Sequence, residues 1–313
     1  MKFFKYIIIA IASMVALVSC EKHDLGYQME HVDTSEKALV VIWRLIPEAA
    51  TTANRVYNIT IDDQPLWQNN YTYMAAKDWM PNQSRHYIME PGDHNMKWYL
   101  SDGTCVYDNN FTAIKGMQEV VVSDYNAAPI VVDNNAEYPQ DVTEHTAESY
   151  HVRFANFMYE DENYTIPTYK LQYYFQDPTD LEWYPASDPV GFGEVSPWTR
   201  VHIDVKAAAR SGESGNGSAR NWADNRVGYT ITSGSCTIYY KIKKIEEDGT
   251  ENWMTYNRKG GLEASETEYK DYWTAYVGRH EIHYFRGCRV SGTTTTAATT
   301  SNTSCWITQA AKY

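Results

Sequence analysis

The sequence predicts an all-β protein built from two tandem antiparallel β-sandwich domains. Three observations carry that expectation. Aromatic residues make up 14% of the chain, chiefly 26 Tyr and 10 Trp, and these side chains, like the frequent Thr and Val, pack well on a pleated face. Short strand-like runs recur in the same order in the two halves of the chain. Each half also carries an Asp-Gly-Thr segment, at 102–104 and at 248–250. That is a hairpin signal, because Gly takes the positive φ of a tight turn.

The first domain covers residues 38–139. Ala38 to Trp43 is an apolar run of buried-strand length, ended by Pro47. Val56 to Asp62 alternates as a half-buried strand does. Strands over Arg85–Met89 and Asn95–Leu100 follow, then the turn Ser101-Asp102-Gly103-Thr104. Val120–Val122 and Ile130–Val132 close the domain. The polar stretch from Asn134 to Ser149, with Pro139 and several acids, reads as a linker.

The second domain covers residues 150–313 and opens with the run His151 to Phe157. Leu39–Leu45 matches Val152–Met158, and Tyr57–Gln64 matches Lys170–Asp177. Asn95–Thr104 matches Cys236–Thr250, and Met117–Pro129 matches Glu266–Gly278. That is the pattern of a diverged duplication. Residues 211–219 are rich in Gly and Ser, and residues 291–304 in Thr, Ala and Ser, so both read as loops. Helix is expected at most as one turn over Ala207–Arg210.

Ahead of these domains, Lys2 and Lys5 precede an apolar run from Tyr6 to Val18 that only Ser13 interrupts. The run is shorter than the roughly 20 residues a bilayer span needs and reads as a signal peptide over residues 1–19. It ends in Leu17-Val18-Ser19-Cys20, which resembles the lipobox of bacterial lipoproteins. The resemblance implies diacylglycerol on the Cys20 thiol and cleavage before it. Acyl chains, at about 0.8 kcal/mol per buried methylene, then hold the chain on a membrane. Residues 20–37 are polar and unpatterned, as suits a tether. Glu21-Lys22-His23-Asp24 is similar to the start of lipoproteins of the Bacteroidota, in which a charged stretch can direct export to the outer face.

Val152-Arg153-Phe154-Ala155-Asn156-Phe157, with the later Asp-Gly-Thr hairpin, is similar to a family of immunoglobulin-like domains of unknown function. That family occurs, often in tandem, on lipoproteins of gut Bacteroidota. The resemblance covers most of residues 38–290. It implies immunoglobulin-like sandwiches lipid-anchored in the outer membrane and facing the cell exterior. It implies no catalytic residue and no cofactor.

A formal net charge of −13 repels nucleic acid and anionic lipid and removes both as default partners. With Cys20 lipidated, Cys105, Cys236, Cys288 and Cys305 remain in a compartment that permits disulfides, and sequence cannot choose among their pairings. Cys288–Cys305, which would close the Thr-rich loop, is the pair to consider. They lack C-x-x-C spacing, so a structural zinc site is not expected.

No nucleophile elbow, phosphate-binding loop or zinc-protease motif occurs. His280-Glu281-Ile282-His283 puts its two histidines on opposite faces of a strand, where they cannot share one ion, and reads as a solvated strand. The acidic runs at Asp62, Glu160 and Glu246 read as solvated turns and lack a calcium loop.

The aromatic residues are the more informative candidates. Trp67, Trp79, Trp183, Trp198 and Trp222 lie in predicted loops or beside Pro. Sugar rings stack their apolar C–H faces on an indole. Trp183, Trp198 and Trp222 are the chosen binding residues, because they fall in Pro-, Asp- and Gly-bearing stretches of the larger domain. Trp43 and Trp253, in strand-like runs, are set aside.

The expected function is therefore a non-catalytic cell-surface lipoprotein that binds polysaccharide as an accessory of an uptake system. The alternative is a structural or adhesive module that contacts another surface protein, for example through an exposed strand edge. A glycoside hydrolase fits least.

Overall fold

The computed structural model describes residues 33–48, 51–68, 73–75, 78–81, 86–135, 149–177, 180–202, 229–230, 235–256, 267–276, 279–291 and 305–312. Cys20, Trp222, the segment 211–219 and all but the start of 291–304 lie outside the described residues. The described elements are strands, apart from one 3-10 turn at Thr52–Asn54. The all-β expectation holds.

The first half contributes β1 (Ala38–Arg44), β2 (Asn58–Ile61), β3 (Gln64–Gln68), β4 (Trp79–Met80) and β5 (Tyr87–Met89). It continues with β6 (Gly92–Tyr99), β7 (Cys105–Ala113), β8 (Gly116–Val122) and β9 (Ile130–Asp133). The second half contributes β10 (Ser149–Tyr159), β11 (Lys170–Gln176), β12 (Trp183–Pro185), β13 (Thr199–His202), β14 (Tyr229–Thr230) and β15 (Ser235–Ile245). After these come β16 (Glu251–Trp253), β17 (Thr255–Tyr256), β18 (Thr267–Glu268), β19 (Lys270–Tyr276), β20 (His280–Cys288) and β21 (Trp306–Lys312).

Each half makes two main sheets with one shared strand order, and the second half adds the two-stranded β17–β18 hairpin. In the first half, β1 pairs antiparallel with β4 and β5 on one side and parallel with β8 on the other, and β9 flanks β8. Its facing sheet runs β3-β2-β6-β7. In the second half, β10 pairs antiparallel with β13 and parallel with β20, and β21 flanks β20. Its facing sheet is built on β12-β11-β15, with β16 and β19 both paired to β15.

This order corrects one match made from sequence. The counterpart of β8 is β20, not the stretch from Glu266. β7 corresponds to β16 and β19 together, one strand interrupted by the β17–β18 hairpin. Met254 donates its N–H to Ile242 O at 2.9 Å and Tyr269 donates to Met254 O at 2.7 Å, so the chain leaves and re-enters the ladder at one point.

The two Asp-Gly-Thr segments form the same turn. Thr104 N–H donates to Asp102 Oδ1 at 2.9 Å, and Thr250 N–H donates to Asp248 Oδ1 at 2.9 Å. Gly103 (φ 85°) and Gly249 (φ 84°) occupy the left-handed region that an L side chain rarely adopts.

The strands sort their side chains by alternation. Val40 and Ile42 of β1 and Val120 and Val122 of β8 face Ile59, Met96, Trp98 and Phe111 in the first core. Val152 and Phe154 of β10 and Phe285 of β20 face Leu171, Tyr173, Ile242 and Trp273 in the second. The opposite faces of the same two sheets meet each other. Val41, Trp43 and Val121 pack against Ala155, Phe157, Ile282 and Tyr284. Residues 34–313 are accordingly one compact unit of four stacked sheets. No strand pairing among the described residues joins the two halves.

Several polar groups inside the middle interface are bonded, as burial favours, whereas Trp43 Nε1 is buried without a hydrogen-bond partner among the described residues. The Tyr284 hydroxyl donates to Glu119 Oε2, and Asn134 Nδ2 donates to Glu119 Oε1 at 2.8 Å. Arg153 donates to Ser196 O at 2.9 Å and to Asp133 O at 3.2 Å. Trp43 stacks on Trp79 at 4.7 Å and lies 4.8 Å from Tyr284.

Candidate functional site

The acidic and histidine runs resolve into structural roles. Asp62 and Asp63, both at positive φ, make the β2–β3 turn. Asp62 accepts from Asn95 N–H at 2.9 Å and pairs with His94, which together hold its carboxyl below the usual range. Glu160 accepts from Arg289 Nε at 2.8 Å and from the Tyr169 hydroxyl.

The His280–His283 segment is not solvated. β20 is buried along its whole length, because one face lies in the second core and the other in the middle interface. His280 stacks on His151 at 5.1 Å on the interface side. His283 lies in the core, with Nδ1 3.0 Å from the Tyr173 hydroxyl and Nε2 3.1 Å from the Tyr150 hydroxyl. Tyr150 also donates to Glu281, and Gln309 donates to Glu281 Oε2 at 2.7 Å. Burial pushes the His283 pKa down. Burial pushes that of Glu281 up, but hydrogen bonds from His283 and Tyr150 outweigh it and the net shift is downward. This network is closed within the core and offers nothing to a ligand. Among the described residues no group of three or more His, Cys, Asp and Glu is arranged to hold a metal.

Cys288 and Cys305 are both buried, and Cys305 N–H donates to Cys288 O at 2.9 Å. Both stand as free thiols, and Cys288 Sγ points to Asp161 O at 3.2 Å.

The solvent-facing side of the β11–β15 sheet is different in character. Alternation along β11 and β15 turns Tyr174, Lys241 and Lys243 away from the core that Tyr173, Tyr240 and Ile242 fill. Trp183 from β12 and Trp253 from β16 join them, with ring centroids 6.2 Å apart. Trp253 meets Tyr174 edge-on at 5.2 Å.

Two ammonium groups sit among these rings. Lys241 Nζ lies 4.8 Å from the Trp183 centroid and 4.9 Å from that of Trp253. Lys243 Nζ lies 4.6 Å from Tyr174 and 5.4 Å from Trp253. Glu268 and Glu251 pair with these lysines at 2.5 Å and 2.9 Å. The array is thus a half-exposed row of aromatic rings held by cations whose charge is already balanced.

β12 also borders an open hollow of about 430 Å³, lined by Phe175, Asp177, Tyr184, Pro185 and Arg200. Tyr184 is 42% exposed, and its hydroxyl donates to Asp180 Oδ2 at 2.7 Å, which raises its pKa.

Of the three tryptophans chosen from sequence, Trp222 lies outside the described residues, and Trp183 and Trp198 are not brought together. Trp183 is in the row described above. Trp198 packs beside the middle interface, edge-on to His280 at 5.8 Å, with the Arg153 guanidinium 5.8 Å from its centroid. That places it against the other sheet of the second half. Trp253, set aside as a strand residue, is a partner of Trp183. The alternation of Lys241, Ile242 and Lys243 is the signal that could have found this face.

No family model matches the chain, and no curated protein matches it. Among solved structures it is similar, at 9% identity and a TM-score of 0.18, to a gamma-CGTase from an alkalophilic Bacillus clarkii. The match covers 84% of this chain and 29% of that one, so the chain spans less than a third of its length. A likeness of that size carries no argument about fold or activity.

Proposed function

We propose that the chain is a lipid-anchored surface protein of the Bacteroidota type, with two immunoglobulin-like sandwiches, that binds polysaccharide without transforming it. The observation that carries the binding role is the Trp183–Trp253–Tyr174 row; the Tyr184 hollow opens on the other side of β12, where Tyr184 pairs with the core-facing Phe175. Aromatic rings fixed by cations on a sheet face offer stacking platforms, and the neighbouring Lys, Glu and Asp groups offer hydrogen bonds to hydroxyls. The immunoglobulin-like reading is supported by the parallel pairing of the first strand of each half with a late strand of the same sheet. The anchor and the outer-membrane, cell-exterior location rest on the Leu17-Val18-Ser19-Cys20 motif and the charged stretch after it.

Stacking contributes about 1 kcal/mol per ring beyond burial, so single sites bind weakly and many anchored copies would gain by avidity. A polysaccharide array probed with the full-length chain should show binding that Trp183→Ala and Trp253→Ala each weaken, with unchanged thermal stability. Absence of binding to every polysaccharide would sink the reading and favour a protein partner. The anchor is tested separately. Cys20→Ser should leave the precursor uncleaved, and normal processing of that variant would refute lipidation.

A further inference from the structure

We infer that the hollow beside β12 takes an acidic sugar residue, a uronate or a sulfated sugar, with Arg200 holding its anionic group beside the Tyr184 ring. The inference rests on the glycan-binding reading above and specifies the ligand class at a second contact, on the other side of β12 from the aromatic row.

Arg200 is the observation that points to charge. Among the described arginines, Arg44, Arg153, Arg279, Arg286 and Arg289 all bond to groups of the protein. Arg55 lies over the Tyr73 ring at 3.8 Å. Arg200 does neither, although it lines the hollow and is exposed. In a chain of formal charge −13 this is not for want of carboxylates. The other charged group of the lining, Asp177, is largely buried and already engaged within the protein. The guanidinium is thus the polar group left for a ligand. Its planar fork of donors matches a carboxylate or a sulfate in two parallel hydrogen bonds.

The remaining lining suits a sugar ring. Phe175 and Tyr184 lie with centroids 6.1 Å apart, and Pro185 adds an apolar edge. The hydrogen bond to Asp180 fixes the far end of the Tyr184 ring. The negative field of the chain opposes acidic polymers at long range. Discrimination therefore arises only where the acidic residue reaches Arg200.

The test is an array that pairs uronate, sulfated and neutral polysaccharides of matched backbone, probed with the full-length chain in detergent. At least one acidic form should bind about tenfold or more tightly than its neutral partner. Arg200→Gln should abolish that preference while leaving neutral binding within about twofold. Equal binding of acidic and neutral forms, or a preference that survives in Arg200→Gln, overturns the inference and leaves the glycan reading standing. Binding to none of the polysaccharides overturns both.

Discussion

His283 is the side chain through which pH acts most directly on this fold. It is fully buried among Tyr150, Tyr173, Glu281, Trp273 and Gln309, and burial holds its pKa below the ordinary value of 6.5. As pH falls below that value the unfolded chain takes up a proton that the folded chain refuses, so stability declines. Glu281 acts in the same direction at lower pH. Its folded pKa is depressed, so the stability it contributes is lost as pH falls through that value. Denaturant unfolding should show stability falling from pH 7 to pH 5. His283→Gln, which cannot take up the proton, should flatten the decline, and an unchanged slope would contradict this account. None of this network was legible in sequence. His280-Glu281-Ile282-His283 reads as a polar strand, and only the packing of a sheet on each face of β20 turns it into core.

At the scale of elements, the turns were the most legible feature because their chemistry is local. Asp102 and Asp248 each cap the amide two residues on, and the following Gly supplies the left-handed position. Open space surrounds the place of a Cβ at both glycines, so substitution there is resisted by backbone strain alone. Gly103→Ala and Gly249→Ala should each cost about 1–2 kcal/mol, measured by chemical denaturation. A neutral effect at both would show that the turns relax.

The strand matches failed where local signals run out. β7 is one strand, but its counterpart is divided between β16 and β19, and the β17–β18 hairpin shifts every later match by one element. The aromatic row was half legible for a related reason. Trp183 stands out in a Pro- and Asp-bearing stretch, whereas Trp253 and Tyr174 look like sheet packing until one knows which face of β15 lies open.

At the scale of the molecule, the apolar run Ala38–Trp43 of β1 signals a strand buried on both faces. Which layer covers the second face cannot be read from one strand. The structure supplies it, since each half is the other's covering layer. Trp43 is central to that contact, 1% exposed, stacked on Trp79 and tilted against Tyr284. Trp43→Ala should cost about 3–5 kcal/mol. Wild-type residues 34–313 should unfold in one transition reported alike by probes in either half. Two separated transitions in the wild type would mean that the middle interface contributes little.

The pairing of β1 with β8 has a mechanical consequence. Its seven residues run parallel in register, from Ala38 beside Gly116 to Arg44 beside Val122. A load entering at residue 34 pulls β1 toward its start, while the chain leaving β8 is drawn the opposite way. The rungs between them are then sheared all at once rather than peeled one by one. A protein tethered ahead of β1 and gripping a polymer on its far sheet would bear drag along the direction in which this ladder is strongest.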